Sequence, residues 1–111
     1  MNVQKRQEIE RKVVCHLIRT MKENGWIAYA VNDGEEVVKC STETEVINNV
    51  FDVDESSIYF RKEGFEEACS AYIVLGNDGW DAIADHSYPS EGHNFVYVMD
   101  QVSEYCETLS K

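Results

Sequence analysis

Ala71-Tyr-Ile-Val-Leu75, Gly76-Asn-Asp-Gly79 and Trp80-Asp-Ala-Ile-Ala-Asp-His86 follow one another without a break. Two apolar runs flank a turn made of residue types that accept tight or left-handed backbone. The stretch reads as an antiparallel hairpin near the centre of a sheet. With Gly76–Gly79 as a four-residue loop, Leu75 faces Trp80, Ile73 faces Ala82 and Ala71 faces Ala84. The same stretch holds the residues most like a site, namely Asp78, Trp80, Asp81, Asp85 and His86.

Upstream, Ser57-Ile-Tyr-Phe-Arg-Lys62 has the alternation of another strand, with Ile58 and Phe60 on one face. Asp54-Glu55-Ser56 reads as the turn before it, and the charged run from Lys62 to Glu67 reads as a loop. Thr42-Glu-Thr-Glu45 matches a capping box, in which the threonine hydroxyl takes the Glu45 amide and the glutamate reaches back. It opens a short helix with Val46, Ile47, Val50 and Phe51 as its apolar face, ending near Asp52. Before it, Trp26–Asn32 and Glu36–Cys40 form a hairpin about Asp33-Gly34.

A helix from Val3 to about Asn24 precedes these strands. Ile9, Val13, Leu17 and Met21 recur at every fourth position, with Val14 and Ile18 widening the stripe, and Asn24-Gly25 gives the stop. Its basic residues, diluted by Glu8, Glu10 and Glu23, suit the wet face of a packed helix, with His16 beside the stripe. At the other end, Ser87–His93 is rich in breakers and reads as a loop. From Asn94, a suitable N-cap, Phe95, Val98, Met99, Val102, Tyr105, Cys106 and Leu109 share one helical face. The order is helix, strand, strand, helix, strand, strand, strand, helix. That is an α+β fold, a mostly antiparallel sheet of about five strands with three helices, in one domain spanning 1–111.

The chain has 111 residues and is 43% hydrophobic, enough for a core without staples. No apolar run is long enough to span a bilayer, and Met1–Arg6 leads into no signal-peptide core, so a cytoplasmic protein without membrane contact is expected. Cys15, Cys40, Cys69 and Cys106 lack metal-ligand spacing and read as reduced core residues. Charge is lopsided. Residues 1–24 carry six basic and three acidic side chains, a net of +3, whereas residues 25–111 carry four basic and eighteen acidic, a net of −14. Such a body repels phosphates, so direct nucleic-acid binding is not expected.

Chemistry-bearing patterns are sparse. Asp78, Asp81, Asp85 and His86 make the one metal-like cluster; on a strand, Asp81 and Asp85 share a face about 13 Å apart. One ion would then need help from Asp78, Asp54 or Glu91. Asp33, Glu35 and Glu36 bunch at a turn without a calcium-loop pattern. Cys69 and His86 meet across the hairpin ends, with Ser87 and Ser90 nearby, but no nucleophile elbow or phosphate loop is present. Neither catalysis nor a cofactor is expected. Tyr59, Tyr72, Trp80, Tyr88 and Tyr97 are candidates for an exposed binding face. With helices on one side, a second sheet face carrying Tyr72, Val74 and Ile83 needs a cover, which a second copy of the chain supplies in a homodimer.

The run Leu75-Gly-Asn-Asp-Gly-Trp-Asp-Ala-Ile-Ala-Asp-His-Ser87 resembles a motif of small phage- and prophage-borne proteins of unknown function. The turn Val31-Asn-Asp-Gly-Glu35 and the acidic Asp52-Val-Asp-Glu55 segment add to the likeness. The resemblance implies a mobile-element accessory protein, cytosolic in a bacterial host. It assigns no activity. The functional expectation is therefore a non-enzymatic acidic protein that engages a basic patch on a host protein, as an inhibitor or nucleic-acid mimic. A metal- or ligand-binding hairpin at Asp78, Asp81 and Asp85, or a dimeric assembly component, are the alternatives.

Overall fold

The computed structural model describes residues 2–89 and 93–110. The elements are α1 (Val3–Glu23), β1 (Ile27–Asn32), β2 (Val37–Lys39), α2 (Glu43–Phe51), β3 (Glu55–Arg61), β4 (Cys69–Val74), β5 (Ile83–Ser87) and α3 (His93–Leu109). All strand pairs are antiparallel, in the order β2-β1-β3-β4-β5. The expected α+β fold, with three helices and five strands, is what the chain adopts.

Helix α1 starts where the Asn2 side chain accepts the Lys5 amide at 2.8 Å, satisfying one of the free donors of its first turn. It buries Ile9, Val13, Val14, Leu17, Ile18 and Met21, every position of the stripe. Helix α2 is capped by Thr42, whose Oγ1 accepts the Glu45 amide at 3.1 Å. The Glu45 carboxylate reaches past the cap to the Ser41 amide at 3.2 Å. Ion pairs contribute little to holding these layers; apolar burial does the work, at about 1.5–3 kcal/mol for each large side chain removed from water. One hydrophobic cluster joins the three helices to a single face of the sheet through Leu17, Trp26, Ile58, Phe60, Ile73 and Phe95. The Trp26 and Phe95 rings meet edge to face at 5.4 Å, and Phe95 lies 5.7 Å from Phe60.

Four local readings are corrected. The hairpin of β4 and β5 pairs Ala71 with His86, Tyr72 with Asp85 and Ile73 with Ile83, so the connection spans Leu75–Ala82 and Trp80 is in the turn. Two bonds lengthen it: the Leu75 amide goes to Asp54 O at 2.8 Å, and the Asp81 carboxylate accepts the Asp78 amide at 3.2 Å. Second, the centre of the sheet is β3, and β5 is an edge. Third, β3 begins at Glu55, paired with Val74, where a turn through Ser56 was expected. Fourth, α3 begins at His93, so Asn94 is no cap; its Oδ1 accepts the Trp26 indole N–H at 2.6 Å. Of the expected loop Ser87–His93, residues Ser90, Glu91 and Gly92 lie outside the described residues.

Candidate functional site

The five residues singled out in the hairpin do not converge. Asp78 is exposed in the turn, and Asp81 beside it is occupied by the Asp78 amide. Trp80 is half-buried against the core. An extra residue, Ala84, separates the Tyr72–Asp85 and Ile73–Ile83 pairs, which ends the even alternation on which a shared Asp81–Asp85 face depended. Asp85 is exposed, and its carboxylate accepts the His86 amide at 2.8 Å. His86 turns the opposite way, 6.4 Å from the Phe95 ring and stacked at 6.0 Å on Tyr88. Among the described residues, no three His, Cys, Asp or Glu side chains are placed to hold a metal ion.

The register sets His86 opposite Ala71, diagonal to Cys69 on the same face. Burial raises the Cys69 thiol to about 11, so it stays protonated and un-nucleophilic at neutral pH. Burial also raises Cys40 and Cys106, and none of the four cysteines is in a disulfide. The acidic β1–β2 tip is a local turn device: one Asp33 oxygen accepts the amides of Glu35 and Glu36, both at 2.9 Å, which lowers the Asp33 pKa.

A groove of about 510 Å³ runs between the start of α1 and the β4–β5 turn, walled by Gln7, Arg11, Phe51, Asp54, Leu75 and Gly76. Its floor holds the most deeply buried carboxylate described, Glu10, only 2% exposed. Glu10 Oε2 accepts the Gly76 amide at 2.7 Å, and Oε1 lies 3.6 Å from Arg6 Nε. The Arg11 guanidinium sits 4.7 Å above the Phe51 ring. The charged groups here hold α1 to the turn, and the walls mix both signs.

A second surface is the sheet face turned away from the helices. Antiparallel register lays it out in rows. Val37, Asn32, Ser57, Tyr72 and Asp85 make one row; Lys39, Ala30, Tyr59, Ser70 and Ser87 make the next. Glu55 and Arg61 flank these rows at the two ends of β3. Ile83, expected on this face, pairs with Ile73 and packs partly against the core on the other. The Asn32 amide donates to Tyr59 Oη at 3.1 Å, and Tyr72 Oη donates to Glu55 Oε2 at 2.6 Å. That donation to a carboxylate raises the Tyr72 phenol above its ordinary pKa. Arg61 covers the Tyr29 ring at 5.2 Å. Tyr72, Tyr88 and Tyr97 are exposed, whereas Tyr59 and Trp80 are half-buried. The alternation Glu55, Ser57, Tyr59, Arg61 is the sequence signal for this face, with a charge of each sign at its two ends.

Comparison of the chain with protein-family models, curated proteins and solved structures gives no match. No helix among the described residues is long and apolar enough to cross a membrane.

Proposed function

We propose that the protein acts by non-covalent association, as a small acidic binding protein for a basic surface on another protein. One observation carries this reading. The chain has 21 acidic residues, yet among the described residues the sole ion pair is Arg6–Glu10. The other described carboxylates meet no cation within ion-pair distance, so they project an uncompensated negative field that steers and orients a cationic partner. The few convergent polar groups that a small-ligand site needs are not gathered anywhere on the hairpin. In the phage or prophage setting that the Gly76–Asp81 motif implies, the partner is a host protein with a basic patch, and the acidic body is an inhibitor or mimic of nucleic acid.

The test is capture on the immobilised protein from nuclease-treated bacterial lysate, followed by elution with rising salt. The expected result is a discrete basic protein that is released as salt screens the contact. Retention of nothing, or of a protein that high salt does not release, removes the electrostatic reading.

A further inference from the structure

We propose that the open sheet face is the interface of a symmetric homodimer, in which β3 of each copy crosses β3 of the other in antiparallel sense. The face holds Glu55 and Asp85 of the acidic field invoked above, but the contact needs no foreign partner, and the mass of the pure protein tests it apart from capture on a lysate.

Take a two-fold axis lying in the interface, running across the strands at the level of Ile58. It turns the sheet over onto itself, sets each strand above its own copy with direction reversed, and exchanges the two central rows. Tyr59 then meets Ser57 of the second copy, and Tyr72 meets Ser70 of the second copy, because Ser57 pairs with Tyr72 and Tyr59 with Ser70. On β1, Ala30 is already fully covered within its own chain and takes no part in the contact. On the two central strands, β3 and β4, each tyrosine meets a serine. That is the interdigitation two packed sheet faces need, and sandwiches with near-aligned strands pack in this way.

Charge selects the same operator. Glu55 and Arg61 are the first and last residues of β3. The operator brings Glu55 onto Arg61 of the second copy, twice per dimer. Tyr72 occupies Glu55 Oε2, and Oε1 remains to accept the guanidinium. Arg61 has no carboxylate within ion-pair distance among the described residues, and its position over Tyr29 holds it at the edge of this face. The other two-fold in the same plane, along the strands, sets Glu55 on Glu55 and Arg61 on Arg61, and repulsion disfavours it. A C2 contact must be self-complementary, and both size and charge on this face meet that condition under one axis only.

Area sets the strength. At about 3.3 Å of rise and about 4.8 Å of spacing per residue, the five strands give roughly 430 Å² of plane per copy. Two faces together stay under about 1,000 Å², the range of weak, transient association. The dimer is therefore reversible and dissociates on dilution.

The experiment is light scattering and sedimentation on the intact chain, from about 1 μM to about 1 mM. The wild type is expected to pass from the mass of one chain to that of two. Glu55→Arg and Arg61→Glu each place like charges in contact and are expected to weaken association at least tenfold. The combined Glu55→Arg, Arg61→Glu chain restores the pair with its polarity reversed and is expected to recover the dimer. Ser70→Arg, which fills the space opposite Tyr72, is expected to abolish it. Far-ultraviolet circular dichroism confirms that each variant is folded. A wild type of single-chain mass throughout overturns the proposal and leaves the face for a different partner. A dimer indifferent to the single exchanges, or a folded double exchange that stays monomeric, overturns it too.

Discussion

The carboxylate of Glu10 and the amide of Gly76 are 66 positions apart in the chain and 2.7 Å apart in space. Helix α1 is thereby fastened to the β4–β5 turn by a part-buried hydrogen bond to a carboxylate. Glu10→Ala removes the acceptor, leaves the exposed Gly76 amide to water and leaves Arg6 beside an apolar gap. A loss of about 1–3 kcal/mol is expected. Urea denaturation checks it, with an unchanged m-value showing that the fold is retained. Glu10→Gln keeps an acceptor oxygen and should lose less.

Two glycines in that turn have left-handed backbone and different surroundings. A Cβ on Gly76 (φ +101°) meets nothing within 4 Å, whereas one on Gly79 (φ +99°) meets Arg6 O and Ile9 Cβ, both at 3.0 Å. Gly76→Ala is expected to cost about 1–2 kcal/mol from backbone strain alone. Gly79→Ala bears the same strain plus overpacking of about 1–3 kcal/mol against α1. Thermal denaturation of the two variants side by side reads the difference; equal losses would show that α1 yields freely at this contact.

His16 on α1 stacks on Tyr105 of α3, with ring centroids 3.8 Å apart. Burial lowers its pKa below the ordinary 6.5, and the Glu23 charge opposes part of that shift. The unfolded chain therefore binds more protons than the folded one just below pH 6.5. Stability should fall as the pH drops through that window and stay level with respect to this group above it. His16→Phe keeps a ring on Tyr105 and removes the proton. Its denaturation midpoint should vary less between about pH 7.5 and about pH 5.5 than that of the wild type.

Salt separates the two association modes by sign. Each chain carries a formal net charge of −11. Repulsion between two copies acts over tens of ångströms, while the Glu55–Arg61 contacts act at closest approach. Raising salt from about 0.01 M to about 0.15 M shortens the screening length from about 30 Å to about 8 Å and suppresses the repulsion first. Self-association should strengthen over that range, and binding to a basic partner should weaken. Sedimentation and a binding titration in the same buffers check the pair of signs.

Local chemistry was readable in the chain, and contacts across it were not. The α1 stripe from Ile9 to Met21, the Thr42 cap and the Asp33-Gly34 turn depend on neighbours within a few residues, and each appears where its pattern lies. The hairpin register escaped because a bond from Leu75 to Asp54 lengthens its turn, and nothing in the Gly76–Gly79 tetrapeptide announces that partner. Asn94 has the chemistry of a cap but serves an indole 68 positions away. The candidate site suffered most. Asp81, Asp85 and His86 are close in sequence, but the turn, the open face and the helix-covered face divide them.

Strand β2 has only three residues and carries Lys39, while β5 is broken by Ala84 and carries Asp85. These are the two margins of the sheet, where free amide and carbonyl groups can template another chain. A brief margin with a cation and an irregular one with an anion are poor templates for a further strand. Ordered growth into fibres is thereby discouraged at both sides, and a concentrated solution of the folded protein should stay clear and bind no amyloid dye.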